Sequence, residues 1–193
     1  MAISSVAVIG ARATGQALAY AAALAGYQTI LEDVSREMLE KGIANIRQAL
    51  GEAVERGEIP TVHPESALAR IIPIIGVEDA IRGADLVIEA VSEELEMKLE
   101  LFTIFDKFAK PGAIFATTTR TLSILDISDV TLHRDSCIGM RFPSSAISGE
   151  FKRDCIELIP TEMTSHATLK ACREVAGRFA KEVQLAADIP PRS

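Results

Sequence analysis

The sequence predicts an α/β fold in which a doubly wound, mostly parallel sheet carries a helical-hairpin insertion after its second strand. Three observations predict it. Short apolar runs of strand length alternate with stretches of helical periodicity along the 193 residues, as strand–helix–strand units require. The first such unit, Val6 to Val34, reads strand, glycine turn, helix, strand, acid. A later run, ADLVIEAV from Ala84 to Val91, is a continuous apolar stretch with an acid at its end, the mark of a parallel strand buried on both faces.

Val6, Val8 and Ile9 form the opening strand, Gly10 the sharp turn, and a helix starts near Ala13. Gly10 and Gly15 occupy the first and third glycine positions of G-x-G-x-x-G, and Arg12 stands at the second. Such a turn aims the amides of a helix N-terminus at a diphosphate. The middle glycine leaves room for the backbone to approach the pyrophosphate. Asp33 lies 23 residues after Gly10. There a carboxylate accepts hydrogen bonds from an adenosine ribose and repels a 2′-phosphate. The unit is Rossmann-like and predicts NAD over NADP as cofactor, weakened by Arg12. Asp33 could equally cap the helix that follows Ser35.

A long amphipathic helix from about Ser35 to Arg56 follows, with Met38, Leu39, Ile43, Ile46, Leu50 and Val54 on one face and Ser35 as N-cap. Gly57, Ile59 and Pro60 end it, and His63 to Ala69 reads as the second arm of a helical hairpin. An ordinary crossover helix with a loop fits these residues as well. Arg70 to Ile75 is a short strand, Val77 to Arg82 a turn of helix, and Glu93 to Ala109 a helix. Pro111 and Gly112 turn the chain into a strand from Ala113 to Thr117, and Thr118 to Thr121 is a polar loop at its carboxyl end. In open α/β sheets these ends face the ligand crevice. Cys137 to Phe142 and Cys155 to Ile159 are two more strands joined by a small-residue loop. Thr164 to Leu185 reads as one final amphipathic helix capped by Thr164 or Ser165.

The chain is 48% hydrophobic, enough for a core, and its net charge of −7 argues against a nucleic-acid partner. Cys137, Cys155 and Cys172 are odd in number and lack metal-site spacing, which predicts no metal and a reducing, cytoplasmic setting. No apolar run is long enough to span a membrane. The apolar start lacks a basic leader and is not read as a signal peptide.

Several segments together resemble the N-terminal NAD-binding domain of the 3-hydroxyacyl-CoA dehydrogenases. They are LEKGIANI (Leu39 to Ile46), ADLVIEAVSEELEMKLELF (Ala84 to Phe102), IFATTTRTLSI (Ile114 to Ile124), IGMRF (Ile138 to Phe142), IELI (Ile156 to Ile159) and EMTS (Glu162 to Ser165). The resemblance implies oxidation of the 3-hydroxyl of an acyl-CoA by an NAD-binding domain followed by a smaller helical domain. It implies that Asp33 is the ribose-binding acid, that Glu93 and Lys98 lie near the nicotinamide, and that Glu157 orients a catalytic histidine. It also implies that the hairpin from Ser35 to Ala69 helps hold the CoA. The domain is expected over residues 1–187. Residues 188–193 then read as a remnant of the linker to a helical domain that this sequence, ending at Ser193, does not contain.

The chain departs from the family where chemistry is expected. The family reads N-T-S-S where this chain has Thr118, Thr119, Arg120 and Thr121, and H-F-F-N-P where it has Arg141, Phe142, Pro143, Ser144 and Ser145. The family's general-base histidine is thus Arg141. Neutral imidazole can take a hydroxyl proton because its pKa lies near 6.5, whereas guanidinium has no acceptor. An Arg141–Glu157 ion pair, bidentate in form, is expected in its place. His63 and His166 at helix starts, and His133 in a polar turn, are poor substitutes for the base.

Three readings remain open: a dehydrogenase domain completed by another chain, a nucleotide- or anion-binding regulatory module, and a protein-interaction scaffold. Under the second, Arg12, Arg120 and Arg141 would line one crevice and hold an acyl-CoA or another anionic small molecule. Glu93 and Lys98 could also be no more than a helix-surface pair. Apolar surface on the last helix and the nearby sheet edge predicts a homodimer or a partner chain there.

Overall fold

The computed structural model describes residues 2–60, 63–142 and 153–189. The elements in chain order are β1 (Ser5–Ile9), α1 (Ala13–Leu24), β2 (Gln28–Glu32), α2 (Arg36–Glu55), α3 (His63–Leu68), β3 (Ile71–Ile74), α4 (Val77–Ile81), β4 (Leu86–Glu89) and α5 (Leu95–Phe108). Next come β5 (Ile114–Thr117), α6 (Ile124–Ser128), a single 3-10 turn, β6 (Cys137–Arg141), β7 (Cys155–Ile159), α7 (His166–Phe179) and β8 (Glu182–Leu185). The strands form one sheet in the order β3-β2-β1-β4-β5-β6-β7-β8. Every neighbouring pair is parallel except β6 with β7. The α/β, doubly wound architecture is as the alternation of elements predicts.

Side chains alternate across the sheet and build two cores. Val6, Val8, Leu86, Ile88, Ile114 and Ile138 face one side, where Leu18, Ile46, Leu50 and Phe179 of α1, α2 and α7 cover them. Ala7, Ile9, Val87 and Phe115 face the other, under Ile81, Phe102, Phe105 and Ile127 of α4, α5 and α6. Burial on both faces is why β1 and β4 contain no polar alternation. The Ser35 hydroxyl caps α2 by accepting the Met38 amide hydrogen at 3.3 Å. Leu39, Gly42, Ile46, Ala49, Leu50 and Ala53 form the buried stripe of that helix, and Gly57 at φ 71° ends it. The helical hairpin with α3 is present.

At the amino ends of the strands, Asp85 ties β1 to β4. Its Oδ2 accepts from the amides and hydroxyls of both Ser4 and Ser5, and Lys110 pairs with Oδ1 at 2.5 Å. Burial raises the Asp85 pKa, but these donors outweigh it and hold the carboxyl well below its usual range.

The final helix differs from its expected form. It spans His166–Phe179, not Thr164 to Leu185, and the chain then makes strand β8. Ser165 is the cap, accepting the Thr168 amide hydrogen, while the Thr164 hydroxyl donates to the Cys137 carbonyl. Ala180 is extended (φ −136°, ψ 163°), and β8 pairs in parallel with β7. The open edge of β7 supplies the hydrogen bonds that turn Glu182–Leu185 from helix to strand, and periodicity cannot register a partner so far away in the chain. No helix among the described residues is long and apolar enough to cross a membrane.

Candidate functional site

The carboxyl ends of β1, β2, β4, β5 and β6 bring the predicted residues to one edge of the sheet in two groups. The first is built on the glycine turn. Gly10 has φ +105°, and a Cβ there would meet the Ala90 carbonyl at 2.8 Å. A Cβ on Gly15 would overlap the Gly10 carbonyl, so only glycine lets α1 start this close to β1. Asp33 follows β2. Its Oδ2 accepts the Ala11 amide hydrogen at 3.0 Å and its Oδ1 the Ser35 amide hydrogen at 3.0 Å. Asp33 therefore both braces the start of α2 and fixes the turn, and each oxygen keeps acceptor capacity for a ribose hydroxyl.

Arg12 is the N-cap residue of α1, with extended backbone (φ −80°, ψ −176°), and is exposed. The first amides of α1 lack intrahelical acceptors and face the same edge. The turn, these amides and Asp33 fit a dinucleotide whose diphosphate lies at α1 and whose ribose meets Asp33.

The second group surrounds a buried ion pair. Glu89 ends β4 and Lys98 lies in the second turn of α5; both are fully buried. Lys98 Nζ donates to both Glu89 oxygens, at 2.7 and 2.8 Å. The Val91 amide and the Thr117 hydroxyl complete the carboxylate's partners. Lys98 is thus not on the helix surface, and Glu93 precedes the helix, which starts at Leu95.

Glu93 Oε2 lies 3.7 Å from Lys98 Nζ. Its Oε1 accepts from the Thr119 hydroxyl, the Arg120 and Thr121 amides and the Thr121 hydroxyl. Burial raises the Glu93 pKa, but those hydrogen bonds prevail and hold it at about 2. One carboxylate thereby shapes the polar loop after β5, and the Thr118 amide donates to the Glu89 carbonyl.

Arg141 and Glu157 face each other across the antiparallel β6–β7 pair. Arg141 Nε donates to Glu157 Oε2 at 2.6 Å. Among the described hydrogen bonds the pair is single rather than bidentate, and Nη1 donates to the Thr119 carbonyl at 3.2 Å. Arg120 reaches the opposite way, its Nη2 donating to the Phe142 carbonyl at 2.9 Å. The two arginines thus tie the ends of β5 and β6 together in both directions. Arg12 follows β1, and β4 lies between β1 and β5 in the sheet. Pro143, Ser144 and Ser145 lie outside the described residues.

His63 and His166 begin α3 and α7, and His133 Nδ1 pairs with Asp106 at 2.8 Å. Sequence reasoning passed over Glu89, Thr117 and Asp188. The acid ending an apolar strand, nine residues before a lysine, was the available signal for Glu89. Asp188 accepts the Ile124 and Leu125 amide hydrogens at 3.0 Å each, so the chain still clasps the domain at this residue.

A family model described as 3-hydroxyacyl-CoA dehydrogenase, NAD binding domain, matches residues 5–189. A 3-hydroxybutyryl-CoA dehydrogenase of Bradyrhizobium diazoefficiens is 33% identical over 188 residues, 97% of this chain and 62% of that protein. The 3-hydroxyadipyl-CoA dehydrogenase of Escherichia coli is 36% identical over 140 residues, 72% of this chain and 29% of that protein. Among solved structures, a 3-hydroxybutyryl-CoA dehydrogenase from Escherichia coli superposes with a TM-score of 0.89 at 29% identity, covering 98% of this chain and 39% of that one. The chain thus spans less than two thirds of the length of these relatives.

Proposed function

Because the chain belongs to the family of 3-hydroxyacyl-CoA dehydrogenase NAD-binding domains, we propose that it binds NAD(H) and, by itself, does not oxidise a 3-hydroxyacyl-CoA. The observation that carries the binding half is the Ala11–Asp33 hydrogen bond at 3.0 Å, which presents a carboxylate beside the glycine turn. NAD is the family's cofactor and supplies the hydride acceptor when bound. Asp33 receives the adenosine ribose and disfavours a 2′-phosphate.

The catalytic half rests on Arg141. Alcohol oxidation needs an acceptor for the hydroxyl proton, and losing a positioned general base costs about 10²–10⁴-fold. Arg141 has no acceptor, and Glu157 is committed to it at 2.6 Å. A 3-hydroxyacyl-CoA or a related anionic thioester remains the ligand class for the crevice. A dehydrogenase would then need a base from another chain. The exposed Leu185 and Ile189 offer a face for that chain or for a second copy. Three free cysteines suit a reducing, cytoplasmic setting.

Calorimetric titration with NADH, NADPH and ADP tests the binding half. NADH should bind with a Kd on the order of micromolar and NADPH at least tenfold more weakly. Heat from none of the three nucleotides would refute it. NADH formation from 3-hydroxybutyryl-CoA at the rate of a histidine-bearing relative would refute the catalytic half.

A further inference from the structure

Ala11 is held at both of its backbone polar groups. Its amide hydrogen goes to Asp33, and its carbonyl accepts from Gln16 Nε2 at 2.7 Å. Gln16 is only 6% exposed, and its Oε1 accepts from Asn45 Nδ2 of α2 at 3.1 Å. One turn earlier on α2, Gly42 brings that helix onto the same residues. A Cβ added there would stand 3.4 Å from the Ala11 carbonyl oxygen and 3.6 Å from Gln16 Cγ. Gly42 and Asn45 are three residues apart and share one helix face. An unbroken path therefore runs from α2 through Asn45 and Gln16 to the Ala11 carbonyl, through the backbone of that one residue, and on to Asp33.

We propose that Gln16 and Asn45 are positioning residues of the dinucleotide site, which fasten the glycine turn to α2 and so set the orientation in which Asp33 meets the ribose. The proposal rests on the NAD-binding reading. Gln16 is suited to the task because its amide donates and accepts at once. It satisfies a buried carbonyl on one side and receives α2 on the other. Without it, the Ala11 carbonyl is left without its side-chain donor, a cost that the turn can relieve only by moving.

The test is Gln16→Leu, which keeps the side chain's bulk and removes both hydrogen bonds, beside Asn45→Ala and the double variant. Native-state amide exchange reads Ala11 against Val8 and Val87 in the sheet, and calorimetry reads NADH. In Gln16→Leu the Ala11 amide should exchange at least tenfold faster relative to Val87, and the NADH Kd should rise about tenfold. Asn45→Ala should give a smaller effect in the same direction. The double variant should match Gln16→Leu alone, because the two residues act in series. Ala11 exchange that accelerates only as much as that of Val87 would mean general destabilisation and would overturn the proposal. So would an unchanged NADH Kd beside a loosened Ala11. Wild-type protein that binds no NADH would instead refute the cofactor reading, and the exchange ratio would still decide whether Gln16 and Asn45 hold the turn.

Discussion

Replacing Lys98 by methionine isolates the buried pair at the centre of the second group. Lys98 and Glu89 are both 0% exposed, and the ammonium donates to each carboxylate oxygen at 2.7 and 2.8 Å. Methionine fills similar space without charge, so Glu89 keeps the Val91 amide and the Thr117 hydroxyl but loses its counter-ion. Removing one partner of a buried pair costs about 3–5 kcal/mol, against about 5–15 kcal/mol for a whole domain. At about 2–4 °C per kcal/mol for a chain this long, Tm should fall by about 6–20 °C. Glu89→Gln combined with Lys98→Met removes both charges and leaves one oxygen for the two remaining donors. It should recover at least half of the loss. Urea unfolding and calorimetry of the three proteins are the assay. A loss under about 1 kcal/mol in Lys98→Met, or a double variant as unstable as the single, would show that the pair is screened by solvent and refute the reasoning.

Other perturbations follow from the same geometry. Asp33→Ala should weaken NADH by about 1–3 kcal/mol and narrow the preference over NADPH, read by titration; equal affinities before and after would remove Asp33 from the site. Gly15→Ala should unfold the protein or destabilise it by more than about 3 kcal/mol, because its Cβ overlaps the Gly10 carbonyl. Gly51→Ala, inside α2 with nothing within 4 Å, should stabilise by about 0.5–1 kcal/mol. The two carboxylates should titrate with opposite signs. Burial, with Asp33 beside it, pushes Glu32 up to about 7 despite the Gly76 amide hydrogen bond. Its contribution is complete below an unfolded pKa of about 4.3 and is lost as pH rises through about 7. Glu32→Gln should therefore gain about 3–4 kcal/mol at pH 8 and little at pH 4, measured as urea midpoints. Glu93, held at about 2, contributes above pH of about 4.3 and loses that contribution as pH falls toward 2. Glu93→Gln should differ most from wild type near neutrality and converge with it in acid.

Legibility differed between the two groups. Gly10, Gly15 and Asp33 could be read in advance because their roles are local. A turn, a helix start and a strand end are fixed by residues close in sequence, and glycine or an acid is required whatever the remainder does. Arg141 with Glu157 was readable through the family resemblance, since 16 residues and a strand reversal separate them. Its single-contact geometry was not, and neither was the Thr119 carbonyl that accepts from Nη1, which comes from the polar loop after β5. The alternative that Lys98 is half of a helix-surface pair rested on its spacing from Glu93, which ignores Glu89, and Glu89 reaches it only across the β4–α5 turn.

The sequence by itself determined the layered α/β fold, the glycine turn, an acid at Asp33 after the second strand and a side chain without a proton acceptor at Arg141. Each follows from periodicity, backbone freedom or the chemistry of a single side chain. Only the tertiary structure decided that Glu182–Leu185 is a strand, that Arg120 and Arg141 tie β5 to β6, and that α2 is fastened to the glycine turn through Gln16. Those outcomes depend on which backbone edges and carbonyls meet in space, and a hydrogen bond between distant segments leaves no periodicity in the chain that makes it.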